Sequence, residues 1–264
     1  MVRVNALTGR GRRMRVLLIG GSGRVGSFIT PYLREQHELR VLDVRPPSRD
    51  GVEYIEGSIT DPGAVRRALD GCDSFISLVM KSGQGGSSTE QSIPVIVDNY
   101  HVNTLGLHLL LYTACDLGIK RGVFTSTMSV HYRERDRFPS EETVPLDSPS
   151  VYGLTKGFGE LICQYFARWF DMNLIALRIT GPRDRSQYIE KRRNPRHYGT
   201  APLYVTDEED LADAYLGALE AIQIGHGRFD AIFVAGDEDE RNHNLSKAKR
   251  ILDWQPRSHR LLTP

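Results

Sequence analysis

Short apolar runs of β type alternate with amphipathic helical stretches along nearly the whole chain, and this alternation limits the possible folds more than any other feature. We predict seven strands, with the sequences MRVLLIG, ELRVLDV, VEYIEG, SFISLV, GVFTSTM, NLIALRI and FDAIFVAG. Strands that are apolar throughout are buried on both faces, as in parallel sheets that helices cover on each side. The sequence therefore predicts an α/β fold with a doubly wound parallel sheet.

The length of the chain and a change of pattern near Gly181 predict how it is divided. The 264 residues suffice for one large domain. We expect a flexible basic N-terminal arm at 1–13, a nucleotide-binding domain at 14–180, and a small C-terminal substrate-binding cap at 181–264. The segment directly after Gly181 has no clear period and predicts substrate loops, and a returning strand and a C-terminal helix follow it.

Composition and charge argue against several classes of partner. The formal net charge of +1 gives no reason to expect nucleic acid, and every apolar run is shorter than the roughly 18–20 residues of a membrane helix. The three cysteines have no metal-ligand spacing, so we expect no metal site and reduced thiols. We therefore expect a cytoplasmic protein without a nucleic-acid or membrane partner.

The segment VLLIGGSGRVGSF has a strand, a glycine-rich turn and a helix start in the order that binds a dinucleotide phosphate. Glycine suits such a turn because the backbone adopts unusual angles and the pyrophosphate approaches bare main chain. The N-terminus of the following helix then offers unpaired N–H groups to the phosphates. The sheet is therefore expected to be of the Rossmann type. We predict that the turn binds the cofactor through Gly20, Gly21, Gly23, Arg24, Val25 and Gly26.

Asp43 ends the next predicted strand, at about the spacing that a dinucleotide site requires. A carboxylate there accepts hydrogen bonds from the adenosine ribose hydroxyls and repels a 2′-phosphate, so NAD is favoured over NADP. Arg24, Arg45 and Arg49 lie close by and leave an NADP phosphate site as an alternative. After the third strand, Ser58 and Ile59 are expected beside the adenine, although a plain turn fits this segment equally well.

PSVYGLTKGFGE places Tyr152 and Lys156 four residues apart on a helix that is predicted to span 151–169. This spacing brings both side chains onto one face, one turn apart. A phenol is a weak base near neutral pH, but a nearby ammonium and a nicotinamide cation favour the phenolate. Tyr152 can then exchange the substrate proton while Lys156 holds the nicotinamide ribose. Ser126, Thr127 and Ser129, at the end of the preceding strand, are candidate hydroxyls for the substrate.

These motifs together resemble the extended short-chain dehydrogenase/reductase family, also called NAD-dependent epimerases/dehydratases, from about Met14 to Pro256. The resemblance rests on GGSGRVG, VLDV, NTLGLHLLLYTACDLGIKRGVFTST, YGLTK, LRITGPR and ILDWQPR. It implies that Thr127 bonds the reacting hydroxyl beside the tyrosine–lysine pair, and that Asn103 is the asparagine of the active-site helix. It also implies further cofactor contacts at Leu78, Val79, Met80 and Ile179.

Within the family, the chain is most similar to uronate dehydrogenases, which oxidise the anomeric carbon of a sugar acid with NAD. Ser82 matches a substrate-binding serine of those enzymes. Their Ser-Asn-His is Thr127-Met128-Ser129 here, so two polar substrate positions are altered and Met128 is expected beside the substrate. The resemblance therefore implies the cofactor and proton-transfer residues, and it leaves the substrate open.

Residues 181–200 contain six basic and two acidic residues. A solvated surface is one interpretation of this segment. The other is a site for an anionic substrate group, because arginine binds carboxylates and phosphates in a bidentate manner. In that second case we expect Arg183 and Arg193 to contact the substrate.

These features predict an NAD-dependent oxidoreductase that oxidises a hydroxyl of a sugar or sugar acid. One alternative is an epimerase or dehydratase for nucleotide sugars, which keeps NAD tightly bound. A second is a non-catalytic NAD(P)-sensing regulator, although a sensor needs neither Tyr152 nor Lys156. The helical segments 94–117 and 151–169 match the dimer contact of the family, so a homodimer is expected by analogy.

Overall fold

The computed structural model of the chain describes residues 12–48, 50–82, 91–132, 134–195, 197–198 and 201–262. The predicted N-terminal arm at 1–13 therefore lies outside the described residues, apart from its last two positions.

The strands of the described chain are, in order, β1 (Arg15–Ile19), β2 (Glu38–Asp43), β3 (Glu53–Glu56), β4 (Ser74–Ser77), β5 (Arg121–Thr127), β6 (Asn173–Ile179), β7 (Pro182–Arg183), β8 (His197–Tyr198), β9 (Ala201–Pro202), β10 (Thr206–Asp207) and β11 (Phe229–Val234). Seven of them form the main, parallel sheet, in the spatial order β11-β6-β5-β4-β1-β2-β3. All seven coincide with strands that the sequence predicts, to within two residues at each end. The other four have two residues each and form two small sheets, which pair β7 with β10 and β8 with β9.

Helices connect the strands. The α-helices in chain order are α1 (Arg24–Leu33), α2 (Pro62–Leu69), α3 (Ile93–Asn99), α4 (Leu107–Asp116), α5 (Val151–Trp169), α6 (Arg185–Arg193), α7 (Glu208–Ile224) and α8 (Ser246–Leu252). A π-helix at Tyr100–Gly106 joins α3 to α4, so the predicted helical stretch 94–117 is continuous but not α-helical throughout.

Two hydrophobic cores lie on opposite faces of the main sheet. Along β1, Val16 and Leu18 belong to the core that contains residues of α1 and α7, whereas Leu17 and Ile19 belong to the core of α2, α4 and α5. Successive side chains of a strand point to opposite faces, so an uninterrupted apolar strand supplies both cores. The predicted doubly wound α/β fold is confirmed.

The segment after Gly181 departs from the prediction of loops, because α6 lies within it. The Asp184 side chain begins this helix by accepting a hydrogen bond from the Gln187 N–H at 2.8 Å. Tyr188 is the buried residue of α6, and most of the others are charged or polar. The helix therefore has almost no apolar periodicity from which it could be predicted.

The order of the strands fixes where a ligand can bind. β1 lies between β2 and β4, so the chain leaves the centre of the sheet in opposite directions and opens a crevice at the carboxyl ends of these strands. The Gly20 N–H donates to the Leu42 carbonyl and the Leu78 N–H donates to the Ile19 carbonyl, each at 2.8 Å. These bonds align the ends of the three strands at the edge of the crevice.

Candidate active site

The glycine turn after β1 leaves room for a phosphate against bare backbone. Gly20 has a φ of +81°, a conformation that side chains disfavour. A Cβ atom on Gly26 would lie 2.1 Å from the Gly21 carbonyl oxygen, so only glycine allows α1 to pack this closely on the turn. Gly23 precedes α1 without a side-chain hydrogen bond to the helix start, and the first turn of this fully described helix has no acidic residue. The backbone N–H groups at the start of α1 therefore fit a pyrophosphate.

Asp43 lies beside this turn, at the end of β2. One carboxylate oxygen accepts from the Ser22 N–H at 3.0 Å, and the other accepts from the Arg45 N–H at 3.1 Å. The carboxylate is therefore held in one orientation next to the phosphate turn, where it fits a ribose diol. Arg24 and Arg45 are exposed, and Arg49 lies outside the described residues.

Ser58 and Ile59 follow β3 in a compact turn. The Ser58 hydroxyl bonds the Thr60 hydroxyl at 2.8 Å and accepts from the Thr60 N–H at 3.2 Å, which is the plain-turn arrangement that the sequence left open. The Ile59 side chain is buried in the core of α2 and α4. Contact between Ile59 and an adenine would therefore involve the backbone of Ile59.

The end of β4 joins the glycine turn to the catalytic helix. A Cβ on Gly20 would lie 2.9 Å from the backbone nitrogen of Val79, so these two segments are in close contact. The Val79 carbonyl accepts a hydrogen bond from Lys156 Nζ at 3.2 Å. Leu78 and Met80 line the cavity that lies in front of the sheet. This geometry brings the predicted fourth-strand residues next to the predicted catalytic pair.

Tyr152 and Lys156 lie one turn apart near the start of α5. Ser150 begins the helix by accepting from the Gly153 N–H at 3.1 Å. A Cβ at Gly153 would lie 2.0 Å from the Ser129 carbonyl oxygen, so glycine brings the helix close to the end of β5. Lys156 is almost fully buried and its ammonium lies 4.4 Å from the centre of the Phe124 ring. Burial lowers the pKa of Lys156 to about 7.

The hydroxyl residues of β5 have different environments. Thr127 Oγ1 accepts a hydrogen bond from the Ser129 N–H at 3.1 Å. The hydroxyl proton of Thr127 can therefore be donated to another acceptor. Ser126 donates its hydroxyl proton to Glu160, a fully buried carboxylate on α5. Both residues line the cavity together with Met128. Thr127 is therefore the better placed of the two hydroxyls to bond a substrate oxygen.

Asn103 lies in the π-helix and binds the backbone that follows β4. Its amide oxygen accepts from the Lys81 N–H at 2.8 Å, and its amide nitrogen donates to the Lys81 carbonyl at 3.1 Å. The same nitrogen lies 3.1 Å from the Thr155 hydroxyl on α5. Asn103 thus connects the segment after β4 to the catalytic helix. Ser82 is partly buried one residue further on, at the end of the described segment.

A cavity of about 280 Å³ opens in front of these residues. Among the predicted site residues, it brings together Val25, Leu78, Met80, Ser126, Thr127, Met128, Tyr152, Lys156, Ile179 and Arg183. Ser129, a further candidate hydroxyl, also lines it. The rest of the lining was not predicted from the sequence and consists of Thr125, Arg135, Phe138, Thr180, Gly181, Pro182, Leu203, Tyr204, Asn242 and His243. Asn242 and His243 follow the last strand of the sheet, so their position at its carboxyl edge was the signal that could have identified them.

The arginines after Gly181 do not all face this cavity. Arg183 lines it and donates to the Pro182 carbonyl at 2.7 Å. Arg193 is exposed at the last residue of α6, away from the described lining of the cavity. Arg185 forms ion pairs with Asp207 and Glu209, and Arg192 pairs with Glu238. These ion pairs account for Arg185 and Arg192 without a substrate.

A model of the family described as NAD dependent epimerase/dehydratase matches residues 16–229. The chain belongs to this family. NAD is the cofactor of the family, and the glycine turn, the open start of α1 and the oriented Asp43 carboxylate fit this dinucleotide.

The chain is similar to sugar dehydrogenases at low identity. An NAD-dependent glucose-6-phosphate dehydrogenase of Haloferax volcanii is 24% identical over 92% of this chain and 93% of that enzyme. A mutated uronate dehydrogenase of known structure is 26% identical, with a TM-score of 0.71 over 92% of this chain and 81% of that chain. A short-chain dehydrogenase/reductase superfamily protein from Agrobacterium tumefaciens, solved with bound NAD, has a TM-score of 0.73, 21% identity and 94% coverage of each chain. The predicted family is confirmed.

Within the described parts of the chain, no helix is both long and apolar enough to cross a bilayer.

Proposed function

We propose that the protein is an NAD-dependent dehydrogenase that oxidises a CH–OH group of a sugar or sugar acid. The observation that carries this proposal is the convergence of Tyr152, Lys156 and Thr127 on one cavity beside the glycine turn. Bound NAD would supply the hydride acceptor for the carbon that is oxidised. The remaining task of the protein is to orient the substrate hydroxyl and to remove its proton.

Each residue of the triad has a distinct task in this proposal. Tyr152 accepts the proton of the substrate hydroxyl as general base. The ammonium form of Lys156 favours the phenolate, and its bond to the Val79 carbonyl keeps it beside the end of β4. Thr127 already accepts from a backbone N–H, so its own O–H can orient the substrate oxygen.

A substrate screen tests the reaction class. The purified protein is given NAD with sugar acids, free aldoses, sugar phosphates and nucleotide sugars, and NADH formation is followed by absorbance. We expect NADH with at least one sugar or sugar acid. Interconversion of nucleotide sugars without net NADH, by protein that retains NAD through purification, would instead indicate an epimerase. NAD binding without turnover on any class would indicate a sensor.

We expect NAD to bind more tightly than NADP because Asp43 offers hydrogen-bond acceptors to the ribose and repels a 2′-phosphate. Hydrogen bonds to a charged group contribute about 1.5–3 kcal/mol each, so the NAD preference should be roughly 10–150-fold in Kd. Asp43→Ser should remove most of this preference. Titration calorimetry with both dinucleotides measures it.

A neighbouring carboxylate provides the control for this experiment. Glu56 ends β3 in register with Asp43, but it is exposed, so Glu56→Gln should leave the ratio of the two Kd values unchanged. A wild-type protein that binds NADP more tightly would contradict the assignment and indicate Arg24 or Arg45 as phosphate ligands.

We also propose a homodimer, formed through an exposed apolar stripe on α5. Its members recur at intervals of three and four residues and therefore share one helix face. The Phe158 ring lies 6.2 Å from the Tyr100 ring of the adjoining π-helix, so the stripe continues onto the neighbouring helix. Contiguous exposed apolar surface of this kind marks protein interfaces. The stripe consists of Leu154, Phe158, Leu161, Tyr165 and Trp169.

Leu161→Glu should convert the dimer to a monomer, because a charge in the centre of an isologous interface is buried twice. Light scattering after size exclusion measures the mass. Leu161 is 50% exposed in the single chain, and Ile224 at the end of α7 is 80% exposed, so Ile224→Glu is the matched control and should remain a dimer. A monomeric wild-type protein, or a dimer that tolerates Leu161→Glu, would contradict the proposal.

A cytoplasmic location is the remaining part of the proposal. Cys72, Cys115 and Cys163 all lie within the described residues and are free thiols, which is typical of a reducing compartment.

A further inference from the structure

The cavity has a wall that neither the catalytic residues nor the glycine turn accounts for. We call it the loop wall, and it comes from the segment after β5, the segment after β11 and one residue before β10. Its members are Arg135, Phe138, Tyr204, Asn242 and His243.

Hydrogen bonds between the two segments hold the loop wall together. The Phe138 N–H donates to the Asn242 carbonyl at 2.6 Å, and the Asn244 N–H donates back to the Phe138 carbonyl at 3.0 Å. The Tyr204 hydroxyl donates to the Asn242 side-chain oxygen at 2.6 Å. The wall is therefore a built part of the fold, fixed by main-chain pairing between residues more than a hundred positions apart.

His243 is fixed in one orientation within this wall. Its ring stacks on Phe138 with centroids 4.9 Å apart, and Nδ1 lies 3.1 Å from a carboxylate oxygen of Asp237. Burial acts to raise the pKa of Asp237, but the hydrogen bonds from this ring and from three backbone N–H groups outweigh burial and lower it. Asp237 is therefore an acceptor, Nδ1 carries a proton, and Nε2 is the ring atom available to the cavity.

Arg135 is anchored at the edge of the cavity by one ion pair. Its Nη2 pairs with Asp147 at 2.5 Å, which fixes the position of the guanidinium. The Arg135 side chain remains 30% exposed and lines the cavity, whereas Asp147 is outside the described lining.

The charge of the cavity indicates which kind of substrate group it favours. Its described lining includes the cations Arg135 and Arg183, and it contains neither an aspartate nor a glutamate. Such a lining disfavours a cationic ligand and stabilises an anionic one. Arginine side chains match the geometry of carboxylate and phosphate oxygens.

We propose that Arg135, with Arg183 and His243, binds an anionic group of the substrate, a carboxylate or a phosphate carried on the sugar. This inference rests on the proposed sugar dehydrogenase function and names its substrate class. It also reassigns substrate recognition from the exposed Arg193 to the loop wall.

Two pairs of sugars test the proposal and distinguish its two sources of charge. Galacturonate and galactose differ only in a terminal carboxylate, and glucose 6-phosphate and glucose differ only in a phosphate. Steady-state NADH formation gives kcat/KM for each sugar, and calorimetry with NAD present gives each Kd. We expect wild-type protein to prefer one anion over its neutral partner by at least about 10-fold, the value of one charged hydrogen bond.

Arg135→Gln should lower kcat/KM for that anion by about 10–100-fold, mainly through KM, and should change the neutral sugar by less than about 3-fold. Arg135→Lys keeps the charge and should recover part of the loss. His243→Phe keeps the stacked ring without Nε2 and should give a smaller loss for the same anion. Arg193→Gln is the matched control and should behave as wild type. Thermal melting checks that each variant is folded.

The outcomes separate the two proposals. One outcome is that the protein binds an anion, that Arg135→Gln abolishes this binding, and that no sugar gives NADH. This outcome supports the loop-wall site and contradicts the dehydrogenase function. NADH formation with equal kcat/KM for charged and neutral partners contradicts the loop-wall site and leaves the dehydrogenase function standing. An equal loss for both members of a pair in Arg135→Gln also overturns the anion site.

Discussion

Tyr152→Phe is expected to lower kcat by about 10²–10⁴-fold on the sugar substrate that the screen identifies, since this is the usual contribution of general acid–base catalysis. The change removes the phenol oxygen that accepts the substrate proton in the proposed mechanism, and it leaves the ring in place. Lys156 keeps its bond to the Val79 carbonyl, so the cofactor side of the site is unchanged. The Kd for NAD should therefore change little, as calorimetry can measure alongside steady-state kinetics.

Two further variants make this result specific. Tyr132 is a tyrosine outside the described cavity lining whose hydroxyl bonds Glu134, so Tyr132→Phe should retain wild-type kcat. Lys156→Ala removes a nearly fully buried side chain that contacts both the Val79 carbonyl after β4 and the Phe124 ring, so it should weaken NAD binding as well as turnover. Full activity of Tyr152→Phe on the same substrate would mean that another group accepts the proton.

The sequence was most informative where a feature depends on neighbouring residues. The predicted helix 151–169 has the bounds of α5, and Ser150 precedes it as the N-terminal cap. The tyrosine and lysine share a face because of helix periodicity, which spacing alone reveals. The glycine turn could likewise be predicted from the order of strand, turn and helix alone.

The features that could not be predicted depend on contacts between distant segments. The loop wall exists because Phe138 pairs with Asn242, and no local pattern signals that contact. Ser126 lines the cavity, as its position on β5 suggests, but its hydrogen bond to Glu160 on α5 joins residues 34 positions apart that no local pattern connects. Arg193 was grouped with Arg183 because both lie in one basic segment, and α6 then carries it away from the cavity.

Glu160 on α5 and Arg178 on β6 form a buried ion pair that sequence spacing did not predict. Arg178 donates from Nη2 to one Glu160 oxygen at 2.6 Å and from Nε to the other at 2.9 Å. Its Nη1 lies 3.2 Å from His131 Nε2. Burial lowers the pKa of His131 to about 4, so this ring is neutral at pH 7 and accepts the bond from Arg178. Glu160 is thus the carboxylate that neutralises Arg178.

Glu160→Gln should therefore lower the free energy of unfolding by about 3–5 kcal/mol, because it leaves a buried guanidinium without a counter-charge. Urea denaturation at neutral pH measures this value. The exposed pair of Arg15 and Glu38 provides the control, with side-chain exposures of 43% and 54%. Glu38→Gln should cost less than about 1 kcal/mol, since solvent screens such a pair.

A double variant distinguishes a charge effect from a packing effect. Glu160→Leu combined with Arg178→Met removes both charges and keeps most of the apolar volume, so it should recover most of the stability that Glu160→Gln loses. The Ser126 hydroxyl then has no carboxylate partner, and it lies on β5 directly before Thr127. We therefore expect the double variant to fold stably but to lose turnover with little change in the Kd for NAD. A double variant as unstable as Glu160→Gln would show that packing at this site, rather than the unpaired charge, determines the loss.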